Sequence, residues 1–315
     1  MKIENGCNFT AVLPGACNAA CDFCVDSGSA KIENDWLLKF ENILLNLPNE
    51  ITSISLSGGE PTLSPLFKGA MKLLRAYSLQ FDRIVLNTNG QALSKHLIDI
   101  GRTFSNINIS RHAANADERA LIFKTGAIIS NSRLIACVES LQGAGVSCSI
   151  IAVYDETMSY KKAESLADYA RFLEVDELVL RYDYRGEFSQ LPNKLEQDLF
   201  ARYNLISCNS CDACSSLTFD IDGLPVTSKR GMGEPSKQLD RIFELILQQS
   251  GELTADWAGN MPVELEHIAL NGVISSKIDF SEAYDNNEEE RDNIQPAYQS
   301  GGCGRRMGTM TGCGR

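Results

Sequence analysis

Residues 9–24 read FTAVLPGACNAACDFC. An apolar run (9–14) ends in Pro-Gly and opens into a loop that places Cys17, Cys21 and Cys24 in the spacing C-x3-C-x2-C. The run reads as a β-strand bounded by turn residues. The loop has no fourth ligand beside it, and the three histidines of the chain stand far away at 96, 112 and 267. Structural zinc takes four ligands from Cys and His, and a cubane iron–sulfur cluster is normally held by four thiolates. Three thiolates leave one iron open, which is a catalytic arrangement and not a structural one.

Working outward, strand-like and helix-like stretches alternate. After the cysteine loop comes the helical DWLLKFENILLNL (35–47), then ITSISLSGG (51–59), a strand running into glycines. RIVLNTNG (83–90), NINISR (106–111), VSCSIIAVY (146–154) and ELVLRYDY (177–184) repeat the pattern, with helical segments between them. Such alternation predicts an α/β fold with a parallel sheet. Six units fall short of the eight of a closed barrel, so the expectation is an open, partial (β/α)6 TIM-like barrel over 1–190. The candidate residues all fall at C-terminal strand ends, where βα loops of such barrels converge on substrate. They are the cysteine loop, Gly58-Gly59-Glu60-Pro61, Thr88-Asn89-Gly90, Ser110-Arg111-His112 and Arg181-Tyr182-Asp183.

Beyond residue 190 the alternation stops. Residues 191–315 are expected to form a smaller C-terminal domain: a helix in LPNKLEQDLFARYN, a hairpin in LTFDIDGLPVTS (217–228) turning at Asp-Gly, a solvated acidic stretch (282–293) and a glycine-rich, flexible tail. This region opens with Cys208, Cys211 and Cys214, three cysteines at a spacing that packing alone rarely produces. Zinc, with a fourth ligand from Cys303, Cys313 or His267, and a second iron–sulfur cluster are the two readings. The tail has three readings: a plain disordered end, completion of that second site through Cys303 or Cys313, or supply of a hydrogen-atom donor or of arginines for an anionic substrate. Arg111 and His112 are candidates for acting on substrate, with surface capping the plainer role for His112.

Composition narrows the class. The 315 residues carry 29 Lys+Arg against 41 Asp+Glu, a formal charge of −12. That disfavours nucleic acid as a partner. No run of 18 apolar residues exists, so no membrane span is expected, and the start MKIENGCNFT lacks the apolar core of a secretory signal. These point to the cytoplasm, where eleven cysteines argue for metal ligation over disulfides. Cys137 and Cys148, in apolar stretches, read as small buried hydrophobes.

The motif Cys17-x3-Cys21-x-Phe23-Cys24, with the aromatic residue before the third cysteine and SGGEP (57–61) after the next strand, resembles the signature of the radical S-adenosylmethionine (SAM) enzymes. The resemblance implies a 4Fe–4S cluster on the three cysteines, with SAM on the open iron. Reductive cleavage of SAM to a 5′-deoxyadenosyl radical then needs a reductant such as flavodoxin or ferredoxin. It implies that Gly58, Gly59, Glu60 and Pro61 receive the methionine end of SAM, that Asn89 and Ser110 touch its ribose or carboxylate, and that Phe23 and the 179–182 edge, with Tyr182, border the adenine. The stretch CDACSSLTFDIDG further resembles the GTP cyclase of molybdenum-cofactor synthesis and the SPASM-Twitch auxiliary-cluster group, implying a second 4Fe–4S cluster. There are departures: Ser228 stands where that cyclase has its third auxiliary cysteine, Ser110-Arg111-His112 replaces its Ser-Leu-Asp, and the chain ends in Cys-Gly-Arg. The reaction of the cyclase is therefore not assigned. The expected substrate is a small, anionic or nucleotide-like molecule. The alternatives are a peptide, as for an epimerase or cross-linking maturase of ribosomal peptides, and a non-enzymatic iron–sulfur or zinc scaffold or electron carrier.

Overall fold

The computed structural model describes residues 2–24, 35–125, 128–183 and 188–264. Cys303, Cys313, His267 and the acidic stretch lie outside them.

Six βα units are laid down in order: β1 (Lys2–Leu13) and α1 (Trp36–Asn46), β2 (Ser53–Gly58) and α2 (Phe67–Ala76), β3 (Arg83–Thr88) and α3 (Leu93–Thr103). Then come β4 (Asn106–Ser110) with α4 (Ala116–Phe123) and α5 (Asn131–Gly143), β5 (Ser147–Tyr154) with α6 (Tyr160–Phe172), and β6 (Glu177–Tyr182) with α7 (Lys194–Phe200). The period of two explains the layering. In β2, Ile54 and Leu56 are fully buried, and in β4 so are Ile107 and Ile109; they join Phe40, Phe67 and Leu74 of the helices in one core. Ser53, Ser55, Asn106 and Asn108 alternate with them and face the opposite side. There the strands hold one another through polar contacts: Asn108 donates to Asn87 at 2.8 Å, and Ser53 donates to Asn8 at 2.9 Å. The inner face of the sheet is therefore polar.

The chain continues as β7 (Asn204–Ser210), β8 (Cys214–Ile221), β9 (Leu224–Gly231), a short α8 (Pro235–Leu239), β10 (Arg241–Leu247) and β11 (Leu253–Thr254). All strands share one sheet, in the order β11-β10-β1-β2-β3-β4-β5-β6-β9-β8-β7. From β10 to β9 every neighbouring pair is parallel. The sheet does not close on itself, so the partial barrel expected from the alternation is present. The region after residue 190 joins it at both ends, β9 beside β6 and β10 beside β1. The expected hairpin forms between β8 and β9, with Asp222 and Gly223 both at positive φ (50° and 82°), the backbone of a type I′ turn.

Candidate active site

Parallel register brings the C-terminal ends of the strands to one rim: Leu13 pairs with Gly58, Thr88 with Ile109, and Ser110 with Ile151. The loops leaving that rim carry the predicted residues. The cysteine loop and the double glycine touch backbone to backbone. Glu60 N–H points at the Ala16 carbonyl (3.4 Å), and Ser64 donates to the Pro14 carbonyl at 2.6 Å. A Cβ built on Gly59 would stand 3.0 Å from Ala16 C, Cys17 N and Gly15 O, and one on Gly58 2.7 Å from the Leu13 carbonyl oxygen. Only glycine admits so close an approach. Pro61 starts a single 3-10 turn (Pro61–Leu63) that redirects the chain towards α2.

Glu60 is 2% exposed. Its Oε1 accepts from the Thr62 hydroxyl (2.5 Å), the Thr62 N–H (3.1 Å) and the Thr88 hydroxyl (2.6 Å), and its Oε2 accepts the Asn89 N–H at 2.6 Å. Burial pushes this carboxyl up, while the four donors pull it back. The side chain is thus a buried brace between the loops after β2 and β3. Thr88 belongs to the strand-end motif Thr88-Asn89-Gly90, whereas Thr62 was not singled out from sequence although it follows Pro61 directly. Asn89 reaches across to the cysteine loop, donating from Nδ2 to Asn18 Oδ1 (2.6 Å), with Cys17 Sγ at 4.0 Å.

Cys17 and Cys21 are half-buried and Cys24 is exposed. Burial, then the neighbouring thiols of Cys24 and Cys17, push Cys21 up to about 12. A thiol so placed stays protonated until a cation compensates the thiolate, as metal ligands require. Among the described residues no three His, Cys, Asp or Glu side chains converge on one point as the ligands of a single ion would. A cubane instead takes each thiolate on a separate iron. The donor set of three soft sulfurs, with a glycine-lined approach beside it, fits a cluster better than a lone ion.

Phe23 stacks edge-on against His112 (centroids 4.6 Å apart), and His112 meets Phe123 on another side (5.3 Å). Nδ1 of His112 accepts the Val153 N–H at 3.1 Å, so the proton of the neutral ring sits on Nε2. Burial, and then the nearby Arg111, lower its pKa to about 3. His112 and Phe23 border a cavity of about 300 Å³ with Asn115, Tyr154, Asp155 and Asp183. Ser110 ends β4 half-exposed on the inner face. Tyr182 ends β6, with its ring against Tyr154 (5.3 Å) and its hydroxyl donating to Glu156 at 3.2 Å. Arg111 differs from the sequence expectation: it is 1% exposed and lies behind the rim, not in the cavity.

The second triplet spans the end of β7, the connection and the start of β8. Cys211 and Cys214 sulfurs are 2.9 Å apart, and the Cys211 N–H donates to the Cys214 carbonyl at 2.8 Å. Cys208 is exposed on β7 opposite Leu217.

A curled parallel α/β sheet with a three-cysteine loop packed on a double glycine at its C-terminal mouth defines a scaffold of the partial-barrel type, with its cysteines at the rim. The chain belongs to the radical SAM superfamily, whose profile matches residues 12–170, so it is an enzyme of a class that uses a 4Fe–4S cluster and SAM. Among solved structures, SuiB from Streptococcus suis superposes over 91% of this chain and 64% of its own, at 15% identity and a TM-score of 0.50. SuiB bound to precursor peptide SuiA matches over 57% of this chain and 40% of its own (20% identity, TM-score 0.46). Coproporphyrinogen III oxidase (HemN) from Escherichia coli matches over 62% and 50% (16% identity, TM-score 0.41). The chain thus spans between 40% and 64% of the length of these SuiB structures, and the likeness is one of fold. No curated protein sequence matches the chain. No described helix is long and apolar enough to cross a membrane.

Proposed function

We propose that the rim holds the cluster on Cys17, Cys21 and Cys24 and receives SAM beside Gly58, Gly59 and Pro61, for hydrogen abstraction from a small, anionic substrate. The observation that carries this reading is the backbone-tight contact of Gly59 with residues 15–17, which joins the ligand loop to the turn beside it. Bound together, cluster and SAM supply a 5′-deoxyadenosyl radical in this family. The chain's own residues then have separable tasks. Ser110 offers a polar group at the end of β4, while Asn89, at the end of β3, is tied to the cysteine loop through Asn18. His112 keeps a neutral Nε2–H donor, and Phe23 and Tyr182 give aromatic walls. Arg181 and Lys229 stand opposite one another in the β6–β9 register, which brings basic residues to the polar inner face of the sheet.

Cys208, Cys211 and Cys214 are proposed to hold a second 4Fe–4S cluster, with residues 191–315 as the unit that carries it. The three cysteines within seven residues support a metal or cluster there, although the Cys211 and Cys214 sulfurs, 2.9 Å apart, would have to part to sit on separate irons. A peptide substrate is the second reading. It is favoured by β7, the outermost strand at its end of the described sheet, all of whose residues are exposed; an extended peptide can add to such an edge.

The test is anaerobic reconstitution followed by dithionite and SAM, with 5′-deoxyadenosine measured. A reconstituted cluster that yields none overturns the proposal. About eight iron per chain supports two cubanes, whereas about four iron with one zinc refutes the second. Deuterium carried into 5′-deoxyadenosine from a labelled anion or from a labelled peptide decides between the substrates.

A further inference from the structure

One charged side chain at the rim lies away from the mouth and, among the described residues, forms no ion pair. Nη1 of Arg111 donates to the carbonyls of Asn89 (2.6 Å) and Ser110 (2.8 Å), and Tyr169 and Glu60 stand close enough to favour its charge, but its buried Nε and Nη2 have no hydrogen-bond partner of good geometry among the described residues. Nη2 stands 3.5 Å from where a Cβ on Gly90 would lie. Burying a guanidinium with part of its donors unmet is costly, so what it holds in place matters. It holds Asn89.

Asn89 is fixed at three points. Arg111 grips its carbonyl, Glu60 accepts its N–H, and its side-chain amide lies between Asn18 Oδ1 (2.6 Å) and Cys17 Sγ (4.0 Å). Asn89 Oδ1 in turn accepts the Gln91 N–H at 3.0 Å, which sets the amide so that its NH2 end faces the cysteine loop. Cys17 Sγ accepts a further N–H from Ala19 at 3.4 Å. Hydrogen bonds to cluster sulfurs are one of the levers that set reduction potential. A donor at a ligating thiolate withdraws negative charge and stabilises the reduced cluster more than the oxidised one. Second-shell partners of this kind also orient the ligand.

We propose that Asn89 raises the reduction potential of the cluster at Cys17 through its side-chain amide, and that Arg111 is the positioning residue that holds Asn89 there. This rests on the reading that Cys17 ligates the cluster. The alternative for Arg111, a direct role on substrate, does not suit a side chain 1% exposed.

The experiment is an EPR-monitored redox titration of the anaerobically reconstituted full chain, without SAM. Asn89→Asp keeps the shape and the Oδ1 contact with Gln91 but replaces the donor with an acceptor. At a fixed poise the ratio of reduced to oxidised cluster should fall about tenfold, equivalent to about 59 mV for a one-electron couple. Arg111→Lys keeps the charge but loses the grip on two carbonyls, and should lower the ratio about threefold, for a partly displaced hydrogen bond. Because Arg111 acts through Asn89, Arg111→Lys in the Asn89→Asp background should change nothing further. Asn89→Ser, which keeps a shorter donor, should fall between wild type and Asn89→Asp, and serves if the aspartate variant loses iron. Unchanged potentials in variants with wild-type iron content overturn the role of Asn89. A lysine effect that persists undiminished in the double variant overturns the positioning role of Arg111. Absence of any 4Fe–4S signal from the reconstituted wild type refutes the parent reading instead.

Discussion

Gly59→Ala should uncouple cluster binding from folding. The new Cβ would meet three backbone atoms, Ala16 C, Cys17 N and Gly15 O, each at 3.0 Å, where carbon contacts are comfortable at about 3.5–4.0 Å. No side chain can rotate away to relieve this, so the strain must move a backbone segment by several tenths of an ångström. On one side lies β2, locked in register against β1 and β3. On the other lies the 15–17 segment, anchored at its flanks by Ser64 on the Pro14 carbonyl and Asn89 on Asn18 (both 2.6 Å) but at its centre only by a long 3.4 Å contact between Glu60 N–H and Ala16 O. The weaker side yields, and it is the side that carries Cys17. Overpacking of this kind costs about 1–3 kcal/mol, so the apo-protein should unfold cooperatively with a Tm only a few degrees lower. Iron retained after anaerobic reconstitution and desalting should fall severalfold, and SAM affinity by calorimetry should weaken with it. Gly58→Ala is the contrasting case, because its Cβ meets the Leu13 carbonyl at 2.7 Å inside the β1–β2 pairing; it should lose stability first. Wild-type iron content and SAM affinity in Gly59→Ala would refute the claim that the double glycine shapes the ligand loop.

The triple variant Cys208→Ala, Cys211→Ala, Cys214→Ala should lose about half of the iron while still releasing 5′-deoxyadenosine; loss of all SAM cleavage would contradict the separation of the two sites. Glu196→Gln breaks a pair that is buried on both sides, Glu196 at 0% and Arg230 at 5% side-chain exposure and 2.8 Å apart. Chemical denaturation should show a loss of about 3–5 kcal/mol, and a loss below about 1 kcal/mol, the range of exposed pairs, would mean the pair is hydrated. The lowered pKa of His112, about 3 in the fold against roughly 6.5 unfolded, means that the unfolded chain binds a proton first as pH falls. His112 therefore removes stability progressively between about pH 6.5 and 3, and His112→Gln should flatten the dependence of Tm on pH across that window; an unchanged slope would place the ring in water.

Much of this was legible in the chain because its signals are local. The alternation of Ile54 and Leu56 with serines, and of Ile107 and Ile109 with asparagines, requires only a period of two. Each motif at a strand end then falls on the rim by register alone. What was not legible is which way a rim side chain turns. Glu60, Arg111 and His112 all occupy loop positions that suggest exposure, yet Glu60 and Arg111 point inward and His112 lies between Phe23 and Phe123. Those orientations come from partners far along the chain: Thr88 and Asn89 for Glu60, and Val153 for His112. No window of sequence contains both members of such a pair.

The strands after residue 190 make the same point about the fold. RIFELIL (241–247) is an apolar run that forms β10, six of its seven residues buried, yet its partner β1 lies more than two hundred residues earlier. The first part of β1, KIENGC, carries little strand character, and the pairing is irregular there, with a register shift between Ile3 and Asn8. The physical need is plain in retrospect. Six βα units leave the outer edges of β1 and β6 unpaired, and open edges invite association; β10 covers one and β9 the other. The ends of the enlarged sheet then meet without pairing: Asp212, between Cys211 and Cys214, forms an ion pair with Arg241 at the start of β10, and Arg241 also reaches Glu4 at 3.2 Å. Asp212 is 65% and Arg241 35% exposed, so their bond is of the weak kind that solvent-exposed pairs make and cannot be what bends the sheet. The curl is set by strand twist and by the continuous apolar layer beneath the helices. The ion pair reports that the tip bearing the second cysteine pair comes to rest at the start of β10, beside the N-terminal end of β1, the end of that strand away from the first cysteine loop.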